Sequence, residues 1–218
     1  MRYAVYFCPA PQSHLDRFGR EWLSTTSMPG MPEKRLEVLL KDVRRYGWHA
    51  TLSAPCELAQ GTDYETLHRK VAQIARSFKP FTMALHIDRL AGFLALRPAT
   101  DETPIHALAE RCVRDLNPLR APVSEEAWQR RADGLDESER TLFKQFGYPY
   151  VLEKFQFHMT LSAPATSDEE RALREHLSPK MADASHAHID ALTICCEKEP
   201  GLDFEPVAVI ALGEGRAA

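Results

Sequence analysis

The chain has 218 residues, 44% of them hydrophobic and 27% charged, with a formal net charge of −4. That is the size and make-up of one mid-sized globular domain, without the low complexity of disordered tails or the basic excess of polyanion-binding surfaces. No apolar run reaches membrane-spanning length, and the opening Met1–Cys8 is too short for the hydrophobic region of a secretory signal. The five cysteines, Cys8, Cys56, Cys112, Cys195 and Cys196, form neither a C-x-x-C pair nor a zinc ligand set, so a reduced, cytoplasmic protein is expected.

Arg2 to Cys8 reads as a strand, and a helix carrying Leu15, Phe18, Trp22 and Leu23 follows. The block His49-Ala50-Thr51-Leu52-Ser53-Ala54-Pro55 alternates like a strand. Beyond it, Thr62-Asp63-Tyr64-Glu65 has the pattern of a capping box, opening an amphipathic helix marked by Tyr64, Leu67, Val71, Ile74 and Phe78. Phe81 to Ile87 and Gly92 to Arg97 are strand-like, and Pro104 to Leu116 is helical. The charged stretch from Ser124 to Gln145 reads as two short helices, the second opened by Asp136-Glu137-Ser138-Glu139, within a helical insertion at about 120–147. The block His158-Met159-Thr160-Leu161-Ser162-Ala163-Pro164 is again a strand. Ser167-Asp168-Glu169-Glu170 then opens a helix that holds Leu173 and Leu177 and stops at Pro179. The strand-like runs His188 to Cys196 and Pro206 to Leu212 complete the series.

The two heptapeptide blocks agree at six of seven positions and lie 109 residues apart, and each is followed by a helix and two strands. A single bilobal domain over 1–218 is expected, with approximate halves 1–100 and 101–218. Its fold class is α+β, two pseudo-symmetric lobes of antiparallel sheet backed by helices, facing each other across a central cleft.

Strand alternation gives the blocks their chemistry. Trp48, Ala50 and Leu52 in one copy, and Phe155, Phe157, Met159 and Leu161 in the other, fall on a face built for a core. His49, Thr51 and Ser53, and His158, Thr160 and Ser162, fall on the opposite face. Histidine and threonine two positions apart are roughly 6.6 Å apart along a strand, close enough to reach one phosphate-sized group. Of two histidines titrating near neutrality, one can be neutral and take a proton from water while the other is protonated and gives one to a leaving alkoxide. The hydroxyls of Thr51 and Thr160 suit the phosphoryl oxygens as charge builds on them. His49, His158, Thr51 and Thr160 are therefore the candidate catalytic residues, with no metal and no cofactor needed. Arg45 and Lys154 each precede their histidine by four residues, on the same face if the strand runs back that far, and a cation there suits an anionic substrate; Gly47 weakens the case for Arg45. Tyr46, Tyr148 and Tyr150 are candidates to stack on a sugar or base. His186-Ala187-His188, with Asp183 and Asp190 nearby, is a minority candidate for metal binding. The chain has no P-loop, no G-x-G-x-x-G and no G-x-S-x-G.

Two H-x-T-Φ blocks (Φ apolar), His49-Ala50-Thr51-Leu52 and His158-Met159-Thr160-Leu161, in separate halves of a chain near this length resemble the 2H phosphoesterase superfamily, which includes the RNA ligase/cyclic phosphodiesterase enzymes. The runs Arg2 to Phe7, Arg44 to His49 and Gly147 to Tyr150 are similar to the branch encoded in bacterial phosphonate-utilisation operons. The resemblance implies a pseudo-twofold bilobal fold with the histidines across a cleft, and metal-independent hydrolysis of cyclic phosphodiesters. The operon context suggests a ribose cyclic phosphate. The expected partner is a small phosphorylated substrate, not a membrane. An RNA 2′,3′-cyclic end is the second choice, since the chain lacks a basic stripe with interleaved aromatics, and a non-catalytic phosphate- or nucleotide-binding module is the third.

Overall fold

The computed structural model describes residues 1–213. Among the described residues, eight strands form one antiparallel sheet: β1 (Arg2–Phe7), β2 (Ala50–Cys56), β3 (Phe81–Leu90), β4 (Phe93–Pro98), β5 (Met159–Thr160), β6 (His186–Ile189), β7 (Ala191–Glu197) and β8 (Glu205–Ala211). Their order across the sheet is β6-β3-β4-β5-β2-β1-β7-β8. Among the described residues there are seven α-helices: α1 (His14–Ser24), α2 (Glu33–Tyr46), α3 (Tyr64–Arg76), α4 (Thr103–Leu116), α5 (Glu125–Arg131), α6 (Glu137–Phe146) and α7 (Ser167–Leu177). The α+β class and the two facing lobes are as expected.

The two halves of the sequence do not separate into the two halves of the sheet. β3 and β4 share one side with β5 and β6, and β1 and β2 share the other with β7 and β8. The N-terminal strand, outside the repeat in sequence, takes the place beside β2 that β4 takes beside β5. The run expected at His188 to Cys196 is two strands divided at Asp190: β6 pairs with β3 and β7 with β1. These strands lie near opposite ends of the sheet order, yet one residue joins them. A single residue spans only about 7 Å, so the sheet must curl until its β6 edge meets its β7–β8 end.

Alternation along the strands fills the inner face. Val5, Phe7, Ala50, Leu52, Leu94, Leu96, Met159 and Leu161 are all buried. They pack with Leu36, Leu39 and Leu40 of α2, Val71 and Ile74 of α3, Ile105 and Leu108 of α4, and Leu173 and Leu177 of α7. Each such Val, Leu, Ile, Met or Phe side chain contributes about 1.5–3 kcal/mol by leaving water. Helix starts are set locally. Asp63 caps α3 and accepts from the Thr66 amide; Asp136 with Glu139, and Thr166 with Glu169, form complete capping boxes on α6 and α7. The caps of α3 and α7 thus fall one residue away from the expected Thr62 and Ser167. The two short helices expected at Ser124 to Gln145 are α5 and α6.

Two glycines place the first motif. Gly47 ends α2 with φ 73°, a left-handed turn that a side chain would strain, and turns the chain into β2. Gly19 of α1 leaves room for the Trp48 indole, which a Cβ there would strike. Trp48 Nε1–H donates to the Leu15 carbonyl at 3.0 Å, so α1 pins the residue next to His49.

Candidate functional site

β2 and β5 meet at the seam between the lobes, where Ala50 lies opposite Met159. Continuing that register one residue each way sets His49 opposite Thr160 and Thr51 opposite His158. The four side chains then form a two-by-two array in which each histidine faces the other copy's threonine. Directly opposite Cβ atoms in such a ladder are about 4.5–5.5 Å apart and diagonal ones about 7–8 Å, the diagonal here being His49 to His158. All four residues line one cleft of about 340 Å³.

The two histidines are held alike. His49 Nδ1–H donates to the Gly47 carbonyl at 2.9 Å, and His158 Nδ1–H donates to the Gln156 carbonyl at 2.8 Å. A proton kept on Nδ1 leaves Nε2 as the working atom of each neutral ring. His49 Nε2 lies 3.2 Å from Thr51 Oγ1, which donates to it in that tautomer.

Their surroundings differ. Tyr6 of β1 stacks on the His49 ring, with centroids 3.9 Å apart. Burial pushes the His49 pKa down to about 4, and the charge of His158 adds to the effect against the Gly47 hydrogen bond. His158 meets the ring of Phe93 at 5.6 Å. Burial lowers its pKa too, the Gln156 carbonyl raises it, and the Arg97 guanidinium lowers it further.

The remaining candidates distribute as follows. Tyr46 and Tyr148 line the cleft. Tyr46 also stacks on Phe204 at 5.3 Å. Tyr150, 47% exposed, stands edge-on to Tyr148 and lines an adjoining groove of about 440 Å³ that shares Thr51, Tyr148 and His158 with the cleft. Arg45 and Lys154 are not on the motif strands. Arg45 belongs to the last turn of α2, because Gly47 turns the chain between them; it pairs with Glu197 at 2.6 Å and does not line the cleft. Lys154 sits in a 3₁₀ turn, Leu152–Lys154, and pairs with Asp136 at 2.9 Å at the rim of the adjoining groove. His186 and His188 are on β6, three strands from β5, and Thr82 Oγ1 lies 2.9 Å from His188 Nδ1. Ser162 is buried and accepts from the Leu94 amide at 3.3 Å.

Arg2, Tyr6, Phe93 and Arg131 also line the cleft and were not singled out as site residues from the sequence. Tyr6 had a signal, since it alternates with Ala4 and Arg2 on one face of β1. Nothing in the sequence shows that β1 lies beside β2.

Fold and site together describe an α+β protein with a paired histidine–threonine array at the seam of one curled sheet. The family described as Protein of unknown function (DUF1045) matches residues 51–205, and the chain belongs to it. It is 37% identical over 226 residues to Ribose 1,5-bisphosphate phosphokinase PhnN of Janthinobacterium sp. (strain Marseille), spanning 93% of this chain and 49% of that protein. It is 30% identical to the protein of the same name from Laribacter hongkongensis, spanning 94% and 50%. The chain thus spans about half the length of these relatives. Remote structural likenesses include TT0787 of Thermus thermophilus, with TM-score 0.48, 14% identity, and 98% and 100% of the two chains covered. A crystal structure of a phosphoesterase gives TM-score 0.44, 11% identity, and 98% and 99% covered.

Proposed function

We propose that the protein is a metal-independent phosphoesterase of the 2H type that hydrolyses a small cyclic phosphodiester by paired histidine acid–base catalysis. The observation that carries this reading is the cross-strand array, in which both H-x-T copies line one cleft about the size of a sugar phosphate. Two isolated structural histidines need neither the shared cleft nor the shared Nδ1–H to carbonyl hydrogen bond.

The environments divide the roles. His49, more deeply held neutral, takes a proton from the attacking water through Nε2. The water oxygen bonds to phosphorus, the ester bond to one ring oxygen breaks, and His158, protonated, delivers its proton to that leaving alkoxide. One water is consumed and a phosphate monoester is released; exchange with solvent resets the pair. The negative charge of a bound phosphate raises the His158 pKa and so favours its acid form. The Thr51 and Thr160 hydroxyls donate to the non-bridging oxygens as the transition state gathers charge.

The name of the two relatives supports a ribose phosphate as the substrate class, in the setting of phosphonate catabolism. Ring opening of a ribose 1,2-cyclic phosphate by breaking the bond from phosphorus to O2, which leaves as the 2-hydroxyl, gives a 1-phosphate ester, one of the two positions in that name. The phosphokinase activity in the name has no P-loop in this chain to serve it. The test is a screen of the purified protein against cyclic phosphates with a chelator present, including ribose 1,2-cyclic and nucleoside 2′,3′-cyclic phosphates. Turnover that survives the chelator and is lost in both H49A and H158A is expected. Turnover by neither substrate type, or full activity in both variants, overturns the proposal.

A further inference from the structure

β5 has a second neighbour besides β2. On that side β4 sets Ala95 opposite Thr160 and Leu96 opposite Met159, and the next step of the register sets Arg97 opposite His158. Leu94 and Leu96 are buried in the core, so Phe93 and Arg97 fall on the face that carries His158, in keeping with the contact between the Phe93 and His158 rings. His158 thus stands in a row between Thr51 of β2 and Arg97 of β4, with directly opposite Cβ atoms about 4.5–5.5 Å apart. On β3 the row continues to His86, the cross-strand partner of Arg97, while Asp88 lies opposite Ala95. Arg97 Nη1–H donates to Asp88 Oδ2 at 3.2 Å, and His86 Nε2 lies 4.0 Å from the same oxygen. Arg97 Nε is buried and has no hydrogen-bond partner among the described residues. A buried donor left open weakens a fold, so stability alone does not account for this guanidinium.

The Arg97–Asp88 pair turns its positive end toward His158, because Asp88 is one strand further from β5. His49 is the diagonal neighbour on β2. The other charged or titratable groups face His158 from across the cleft, as Arg2, Asp42 and Arg131 do, or from the adjoining groove, as Glu139 and Lys154 do, with Tyr148 bordering both. None of these stands on a strand paired with β5. After burial and the Gln156 hydrogen bond, Arg97 is the neighbour that acts on the His158 proton, and it weakens its hold. We infer that Arg97 is a positioning residue for the proposed reaction, a fixed charge that keeps His158 neutral in the empty cleft and makes its protonation wait for a bound phosphate diester. The negative charge of the diester offsets the guanidinium, and the ring takes up one proton from solvent. The same guanidinium then favours departure of that proton to the leaving alkoxide. Asp88 holds Arg97 in place and limits its pull. This inference rests on the proposed diesterase activity and adds the group that times its acid.

The experiment follows the His158 ring by NMR as pH is varied, in the unchanged protein and in R97Q, R97K and D88N, with no substrate present. Removing the positive charge in R97Q should raise the midpoint of His158 by about half to one pH unit, the effect of one charge roughly 6 Å away in a partly wet site. R97K keeps the charge and should stay close to the unchanged protein. D88N releases Arg97 from its counter-charge and should lower the midpoint. The alkaline limb of kcat/KM on the best cyclic phosphate should move upward in R97Q by the same amount, a shift that a merely structural role would not produce. A midpoint that R97Q leaves in place, or that R97K moves as far as R97Q does, overturns the inference while leaving the diesterase reading standing. A midpoint that moves while the limb stays overturns His158 as the acid and with it the part of Arg97 in catalysis. Hydrolysis of no cyclic phosphate overturns the diesterase reading itself, whatever the titration shows.

Discussion

The two H-x-T copies are nearly identical as peptides and unlike as environments. Both histidines give Nδ1–H to the carbonyl two residues back, so the local chain sets the tautomer the same way twice. Around His49, β1 adds the stacked ring of Tyr6, and burial holds the imidazole neutral down to about pH 4. Around His158, β4 adds Phe93 and the charge of Arg97. A duplicated motif therefore supplies two groups held alike by the local chain, and the strand packed beside each gives the two rings different surroundings.

The largest test of that comparison is to remove each histidine. H49A and H158A should each lose on the order of 10²- to 10⁴-fold in kcat, and the double variant should lose less than the product of the two, as expected of groups working as a unit. Steady-state kinetics on the best cyclic phosphate reads both outcomes; additive losses would mean that the two sites act independently.

The pH profile sharpens the division of roles. For the free enzyme, kcat/KM should fall on the acid side near pH 4, where His49 gains its proton, and on the alkaline side below the ordinary histidine value of 6.5, where His158 loses its own. The limbs belong to the coupled pair. Replacing Tyr6 by Leu opens the cover over His49, so the acid limb should move up in pH while the alkaline limb stays close to place. Movement of the alkaline limb alone would reverse the assignment of base and acid.

Removing one hydroxyl should cost less than removing an imidazole. T51A and T160A should each lower kcat by about 10- to 100-fold, the range of a hydrogen bond to a charged group, without moving either limb. A shifted limb in T51A would mean that its contact with His49 Nε2, and not a phosphate oxygen, is its main role.

The smallest effects separate the cations around the site. R45Q should lower the melting temperature with little change in KM, because Arg45 serves the buried Glu197. Glu197 is held down to about 2, chiefly by its hydrogen bond with Arg2. Its stabilising contribution is full above the ordinary carboxylate value of 4.5 and is lost as pH falls toward 2, and R45Q should reduce that acid dependence. K154Q should change KM only a few-fold, more at low salt than at high, since Lys154 lies at the rim and is paired with Asp136. A large KM rise in R45Q would restore it as a substrate contact.

Much of this molecule is written in local chemistry. The alternation from Phe155 to Leu161, the periods of α1, α3, α4 and α7, and the acidic starts of α6 and α7 act within a few residues, and the structure keeps them. α2 carried a helical signal as well, in Leu36, Leu39, Leu40 and Val43, and it places Arg45 and Tyr46 on a helix end instead of a strand. The histidine and threonine faces were legible for the same reason, because a period of two is a property of the strand alone. What the residues could not state is which strands are neighbours. That β1 lies beside β2 and β4 beside β5, that Asp190 divides one apolar run between distant parts of the sheet, and that Glu197 draws Arg45 away from the cleft all depend on contacts between residues far apart in sequence. Such pairings are chosen by how the whole core closes, where many weak burial terms add together. The sequence by itself determined which groups are available for chemistry, and the tertiary structure decided which of them meet and how far each one's proton is displaced from its ordinary pH.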